Sequence, residues 1–217
     1  MFDAIAPLDP ENLPDGFAEA IGLDADRRSD IECYRRRLIE ANAKMNLIGA
    51  ATADDFGRRH VLDSAQLVWF APAVRRWADI GSGAGLPGII LAILLKGRSG
   101  ARVHLIESIA KRAKFLVETV EALDLPASVH HARAESVRLE VEAVTARACA
   151  PLGRLFEFVH PFMRRGARAI LLKGQGVEAE IAQARAQWQF CYECRQSLSD
   201  PSGRVLFLKE LAHARKA

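Results

Sequence analysis

Apolar residues follow two different periods along this chain, and the change falls near residue 75. Before it they recur at helical spacing, first over residues 29–43 and again over residues 52–72. Ser29 and Glu32 are spaced as a capping box, so the first of these helices is predicted to begin there. A shorter helix is predicted over residues 16–21, inside an acidic lead-in that contains several prolines. The first 74 residues are therefore predicted to form a helical extension.

From residue 75 to residue 217, short apolar runs alternate with helical segments. Two final extended runs flank Asp200-Pro201-Ser202-Gly203, which is hairpin chemistry. The pattern predicts an α/β fold with a mostly parallel sheet, helices on both faces and a terminal antiparallel hairpin. Strands are predicted at 78–80, 103–107, 128–131, 141–147, 167–173, 188–197 and 204–211, and helices at 89–95, 111–123, 152–163 and 177–187. Ligands bind such sheets at the carboxyl ends of the strands, so residues just after strands are the candidates for function.

The first predicted strand ends at Asp79-Ile80 and runs into a glycine-rich turn. Gly81, Gly83 and Gly85 allow the backbone to bend and to approach a ligand closely. A dinucleotide-binding turn would have a further glycine where this chain has Leu86. The glycines and the acidic residue before them instead resemble the nucleotide loop of class I S-adenosylmethionine methyltransferases, which makes Asp79, Gly81, Gly83, Gly85 and Leu86 predicted cofactor-binding residues. A tight strand-to-helix turn without a ligand is the alternative.

Acidic residues follow the next two strands. Glu107 ends the second strand 22 residues after Gly85, where a carboxylate can accept hydrogen bonds from both ribose hydroxyls of an adenosine. The alternative is that Glu107 caps the following helix. Ala134 and Glu135 follow the third strand, at the place where an adenine edge would be met, and a solvent-facing acid is the alternative there.

Two basic residues and a cysteine follow the later strands. Arg147 comes directly after an apolar strand among small residues, where a charge without a partner would be costly, so it is predicted to face the cleft. Lys173 ends the fifth strand in the same way. Both are predicted catalytic residues that meet an anionic or guanine-like substrate. Cys149 could be a nucleophile, but a small packed residue is the favoured interpretation.

The composition restricts the possible classes of protein. Of the 217 residues, 50% are hydrophobic and 26% charged, and every apolar run is shorter than the ~20 residues that a membrane helix needs. The amino terminus is acidic where a secretory signal would be basic, so a cytoplasmic location is expected, with no membrane association. Cys191 and Cys194 form the only closely spaced cysteine pair, and without a second ligand pair no metal site is predicted.

The net charge is only +3, but the basic residues occur in short clusters. Such clusters mark either a solvated face or a surface that grips nucleic-acid phosphates. The clusters are Arg35-Arg36-Arg37, Arg58-Arg59-His60, Arg75-Arg76, Lys111-Arg112-x-Lys114 and Arg164-Arg165.

Several motifs in one order resemble the RsmG (GidB) family, the bacterial enzymes that methylate N7 of guanine 527 in 16S ribosomal RNA. They are Asn46-Leu47-Ile48, Arg59-His60-x-Leu62-Asp63-Ser64, the turn from Asp79 to Gly88, Lys111-Arg112-x-x-Phe115-Leu116, Arg147-Ala148 and Leu172-Lys173-Gly174. The resemblance implies a Rossmann-like methyltransferase fold and S-adenosyl-L-methionine as cofactor. It places cofactor contacts on Gly81, Leu86, Ala134-Glu135 and Arg147, with Glu107 as the acid after the second strand.

The resemblance also implies the partner and the chemistry. The substrate would be 16S ribosomal RNA, the small ribosomal subunit or its assembly intermediate, and nothing in the sequence demands more than a monomer. Guanine N7 has a lone pair and no proton, so its methylation needs no general base, and catalysis would consist of alignment and of tolerance for a new positive charge.

The residues alone leave two other functions open. A nicotinamide-dependent oxidoreductase is disfavoured by Leu86, and because neither Tyr34 nor Tyr192 has a lysine four residues later. The other rival is a catalytically silent RNA-binding module that retains a methyltransferase fold.

Overall fold

The fold is taken from a computed structural model, which describes residues 15–49 and 55–214. The start of the acidic lead-in and the predicted helix start at Thr52–Asp54 lie outside the described residues.

Apolar strands buried between layers of helices form a seven-stranded sheet with the order β3-β2-β1-β4-β5-β7-β6. Strands β1 to β5 pair in parallel, and β7 is antiparallel to both of its neighbours. The strands are β1 Arg76–Ile80, β2 Arg102–Glu107, β3 Ala127–His131, β4 Ala143–Arg147, β5 Arg168–Lys173, β6 Trp188–Gln196 and β7 Arg204–His213. The predicted α/β sheet with a terminal antiparallel hairpin is confirmed. The strand order reverses between β1 and β4, and ligands bind at such a switch point.

Helices cover both faces of the sheet, as predicted. They are α1 Phe17–Ile21, α2 Ala25–Met45, α3 Asp63–Phe70, α4 Gly88–Leu95, α5 Ala110–Ala122, α6 Leu152–Met163 and α7 Val177–Ala184, and a π-helical segment, Gly57–Leu62, leads into α3. Helices α1 to α5 share one apolar core with Trp77 and Leu105, while α6 and α7 share another with Ala78 and Ile80. Successive residues of β1 therefore point to opposite layers.

Helix α4 is the centre of the first layer. All eight of its residues are buried, because it lies between the sheet and the helices α2 and α3 of the amino-terminal extension. This double burial explains why α4 is apolar all round rather than on one stripe. The extension also reaches the glycine-rich turn, since the buried hydroxyl of Tyr34 in α2 donates to the carbonyl oxygen of Ala84 at 2.8 Å. The extension and the sheet thus share one core.

The predicted capping box of α2 is wrong. The helix begins at Ala25, and its cap is Asp24, whose Oδ1 accepts a hydrogen bond from the backbone N–H of Arg27 at 2.9 Å. Ser29 therefore lies inside the helix, and Glu32 pairs with the Arg35 side chain at 3.0 Å instead of reaching back to a cap. An aspartate one turn earlier satisfies the first free N–H groups, so the Ser29 motif is not needed.

A buried carboxyl joins β1 to α4. Asp79 is fully buried, and its Oδ2 accepts a hydrogen bond from the backbone N–H of Gly88 at 3.1 Å. A Cβ at Gly88 would lie 2.6 Å from that oxygen and 2.2 Å from Cδ2 of Leu105, so a side chain cannot be accommodated there. Burial raises the pKa of Asp79 to about 7 from its ordinary 3.8, because the charged form loses its hydration.

The raised pKa of Asp79 predicts a pH dependence of stability. Between about pH 4 and pH 7 the folded protein holds a proton at this carboxyl that the unfolded chain has already released. The contribution of Asp79 to the free energy of unfolding therefore falls as the pH rises, by at most about 1.4 kcal/mol per pH unit. Asp79→Asn removes this loss, so the stability of the variant relative to wild type should increase from pH 4.5 to pH 7 in urea unfolding.

The exposed Glu40 on α2 provides the control for this measurement. Glu40→Gln is the same carboxyl-to-amide change at a solvated position. A difference between Asp79→Asn and wild type that stays constant across this range would show that Asp79 is already ionised in the folded protein.

Candidate active site

The glycine-rich turn is held in one conformation by close packing on two sides. Gly81, Gly83 and Gly85 have φ angles of 67°, 56° and 98°, in the left-handed region that favours glycine. A Cβ at Gly81 would lie 2.5 Å from the Cys149 sulfur, and one at Gly85 would lie 2.5 Å from Cγ1 of Ile89. At Gly83 the nearest atom would be 3.7 Å away. The turn is therefore packed at its ends and open in the middle.

Glu107 is bonded to this turn from the end of β2. Its Oε2 accepts a hydrogen bond from the Gly83 N–H at 2.9 Å, and its Oε1 accepts one from the Ile109 N–H at 2.7 Å. The carboxylate thus joins the turn to the start of α5. The bond to Ile109 is of the kind expected if Glu107 caps that helix. Each carboxylate oxygen has two lone-pair sites, so capacity remains for a ligand hydroxyl.

The remaining predicted cofactor residues lie in different environments. Ala134 and Glu135 form a 3₁₀ turn after β3, in which Glu135 is exposed. The segment that leads from β3 into this turn is hydrogen-bonded to the end of β2, since the Ala132 N–H donates to the carbonyl oxygen of Glu107 at 3.1 Å. The side chain of Leu86 is buried in the first core, and Asp79 is buried behind the turn.

Arg147, at the end of β4, is held by the π-helical segment of the extension. Its Nη1 donates to the carbonyl oxygen of Arg59 at 2.9 Å and to Oδ2 of Asp63 at 3.1 Å, and its Nη2 lies 3.1 Å from Nδ1 of His60. Its side chain is 19% exposed. The sequence contained Arg59, His60 and Asp63 as a motif, but it gave no sign that they contact Arg147.

His60 is a neutral partner in this cluster. Burial, followed by the charges of Arg147 and Arg59, lowers its pKa to about 4. A guanidinium can only donate, so Nδ1 of His60 accepts and Nε2 carries the ring hydrogen. Among the residues described, that buried Nε2 has no hydrogen-bond partner.

Lys173 also has its partners within the protein. Its Nζ lies 2.7 Å from Oε2 of Glu180 and 3.2 Å from the carbonyl oxygen of Ala150, and its side chain is 9% exposed. The same Glu180 oxygen accepts from the Leu152 N–H at 2.6 Å. The ion pair fixes the segment between β4 and α6, so the charge of Lys173 is already compensated.

Cys149 lies in that segment and packs over Gly81. Burial, together with the nearby carboxylates of Asp79 and Glu107, raises the pKa of its thiol. A raised pKa opposes thiolate formation, which agrees with a packing residue rather than a nucleophile.

The basic clusters do not share one surface. Arg35 is buried, the pair at Arg75 and Arg76 lies at the amino end of β1, and the pair at Arg164 and Arg165 lies at the carboxyl end of α6. These two pairs lie at the end of the sheet where the parallel strands begin, opposite to the glycine-rich turn. The clusters at residues 58–60 and 111–114 lie on the same side as the turn, and Arg58, Arg59, Lys111 and Lys114 are exposed.

Two kinds of feature are absent from residues 15–49 and 55–214. No three His, Cys, Asp or Glu side chains there are grouped so that they could hold a metal ion. No helix in these ranges has the length and apolar character needed to cross a membrane.

The geometry can be compared with solved structures. An O-methyltransferase, TomG, from Streptomyces achromogenes, solved in complex with SAM, superposes with a TM-score of 0.56 over 81% of this chain and 88% of its own, at 13% sequence identity. At that identity the similarity shows the fold alone.

Sequence relatives are much closer. A protein named ribosomal RNA small subunit methyltransferase G from Caulobacter vibrioides (strain NA1000 / CB15N) is 49% identical over 96% of this chain and 97% of its own. One of the same name from Caulobacter sp. (strain K31) is 49% identical over 98% and 96%. The family model GidB, described as rRNA small subunit methyltransferase G, matches residues 27–211. The chain therefore belongs to the rRNA small subunit methyltransferase G family.

Proposed function

We propose that this protein transfers a methyl group from S-adenosyl-L-methionine to N7 of guanine 527 in the 16S ribosomal RNA of the small subunit. The observation that carries the proposal is the juxtaposition at the switch point of the sheet. There a glycine-rich turn that is open at Gly83 is bonded to Glu107, and Arg147 ends the adjacent strand β4. The family to which the chain belongs supplies the substrate class.

The residues at the turn fit this cofactor better than a dinucleotide. A pyrophosphate would lie on the N-terminus of α4, but the carboxyl of Asp79 already accepts the Gly88 N–H there, so that donor is not free to bind it. Space at Gly83 and the free lone pairs of Glu107 suit a nucleoside with ribose hydroxyls. When bound, the cofactor supplies an electrophilic methyl group on a cationic sulfonium, which the nearby carboxylate of Glu107 suits.

The cleft also fits a nucleophile that needs no activation. His60 is occupied by Arg147 and has a pKa of about 4, and the raised pKa of Cys149 keeps its thiol protonated. Neither group serves as base or nucleophile at neutral pH. The N7 atom of guanine requires neither, because its lone pair lies in the plane of the ring and carries no proton, so alignment becomes the main task.

Arg147 supplies donors for that alignment. Among the described residues, its Nε–H and its second Nη2–H have no acceptor. These two N–H groups suit the carbonyl oxygen of guanine, a frequent arginine contact, or the carboxylate of the cofactor. A donor to guanine O6 would orient the base and leave N7 free to meet the methyl group.

The function is tested with small ribosomal subunits from a strain that lacks this protein. The purified protein and S-adenosyl-L-methionine should restore one 7-methylguanosine, located at position 527 by mass mapping of RNA fragments. A silent RNA-binding module would bind the subunits but transfer no methyl group. No transfer to subunits, to partly assembled particles or to free 16S RNA would contradict the proposal.

Gly83→Ala is predicted to weaken cofactor binding by at least about tenfold, since the added methyl group fills the open part of the turn. Gly97→Ala is the matched control, because Gly97 also has a positive φ, 77°, and no atom within 4 Å of the added Cβ. Both variants should lose similar stability, about 1 kcal/mol, from the backbone strain. Calorimetric titration with S-adenosyl-L-methionine separates them, and equal affinities for the two variants would remove Gly83 from the binding site.

Lys111→Ala is predicted to weaken RNA binding and to reduce the slope of log K against log salt by about 1, because one phosphate contact is lost. Arg164→Ala removes an exposed charge at the end of the sheet opposite to the glycine-rich turn and should leave the slope unchanged. Filter binding at several salt concentrations makes the comparison. Equal slopes for both variants would mean that the α5 side of the cleft does not face the RNA.

A further inference from the structure

We propose that Asp63 is a positioning residue for methyl transfer, and that Ser199, in the turn between β6 and β7, acts through it. Together they hold the guanidinium of Arg147 in the orientation that meets the substrate. The proposal rests on the function proposed above and assigns to it two residues that act through Arg147.

Both oxygens of the Asp63 carboxylate are used. Oδ2 accepts from Nη1 of Arg147 at 3.1 Å, while Oδ1 accepts from the Ser199 hydroxyl at 2.7 Å and from Nε2 of Gln66 at 3.0 Å. The Asp63 side chain is only 17% exposed. Bonds from opposite directions fix the plane of the carboxylate, and that plane fixes the direction in which Arg147 donates.

Behind Asp63, the network continues into the turn at residues 197–203. Gln66 is fully buried, and its Oε1 accepts from the Leu198 N–H at 2.9 Å while its Nε2 donates to the Ser197 hydroxyl at 3.0 Å. Ser197 and Ser199 are also buried, and their hydroxyl oxygens lie 2.9 Å apart. These side-chain groups satisfy one another, so the network is rigid rather than strained.

Contacts at the surface bring the same two segments together. The Nε of Arg58 donates to the carbonyl oxygen of Ser199 at 2.8 Å, and Arg59 pairs with Asp200 at 2.6 Å. Arg59 also supplies its carbonyl oxygen to Arg147. The π-helical segment therefore lies between the hairpin turn and the end of β4.

A positioning role explains why the polar network lies at this place. Arginine has several rotatable bonds. The entropy lost when they are ordered during the reaction adds to the activation free energy. Three acceptors from the extension, at Arg59, His60 and Asp63, order the side chain before a substrate arrives. Removing one partner of a partly buried ion pair also costs stability, because the other charge is left uncompensated, so the rates are compared alongside the stability of each variant.

The first test compares two serine-to-alanine changes in one turn. Ser199→Ala removes the hydroxyl that holds Asp63, whereas Ser202→Ala removes an exposed hydroxyl that bonds only to Asp200 within the turn. We expect Ser199→Ala to lower kcat/KM for methyl transfer by about tenfold or more, the effect of one lost hydrogen bond to a charged group. Ser202→Ala should match wild type. Equal rates for the two variants would overturn the assignment of Ser199.

The second test asks whether Asp63 acts through Arg147. Asp63→Asn should lower kcat/KM in the wild-type background but cause no further loss in an Arg147→Ala background, because the group that it positions is absent. A purely structural role would give the same loss in both backgrounds, which would overturn the proposal. Thermal unfolding of all four proteins shows that the rates are those of folded protein.

The rate of the wild-type protein distinguishes a failure of the positioning role from a failure of the proposed function. Active wild-type protein with additive losses would overturn the positioning role alone. Wild-type protein that transfers no methyl group would contradict the proposed function and the positioning role together.

Discussion

The ion pair between Asp63 and Arg147 joins parts of the chain that are far apart in sequence. Its two residues are 84 positions apart, and the Ser199 hydroxyl that supports the carboxylate comes from the terminal hairpin. Each of these segments also buries apolar surface, but apolar contacts are not directional. The charged hydrogen bonds fix the relative orientation of the extension, the strand end and the hairpin turn, and with it the direction of the candidate catalytic arginine.

A second constraint acts at the glycine-rich turn and the start of α4, where three glycines lie so close to neighbouring side chains that a Cβ is excluded. Gly81 lies against Cys149, Gly85 against Ile89, and Gly88 against Asp79. The turn is thereby preformed, and the entropy of ordering it is lost during folding rather than during ligand binding. A rigid turn beside a rigid arginine is suited to a reaction whose main requirement is alignment.

The sequence predicted the architecture well because periodicity reports burial, and burial defines the layers. The apolar runs of β1 to β5 and the amphipathic pattern of α5 could be predicted for this reason. The cap of α2 was misassigned because both Asp24 and Ser29 are good capping residues, and local pattern does not show which one precedes the first helical turn. The partners of Arg147 and Lys173 could not be predicted, since Asp63 and Glu180 meet them only through the tertiary fold.

The bond from the Tyr34 hydroxyl to the carbonyl oxygen of Ala84 has a consequence for protein engineering. The carbonyl belongs to the glycine-rich turn, yet its donor comes from a helix some fifty residues earlier. A Rossmann-like sheet recombined with a foreign leading segment would leave that oxygen desolvated and without a donor. Chimeras between relatives should therefore keep a tyrosine at the position of Tyr34, or exchange α2 and the glycine-rich turn together.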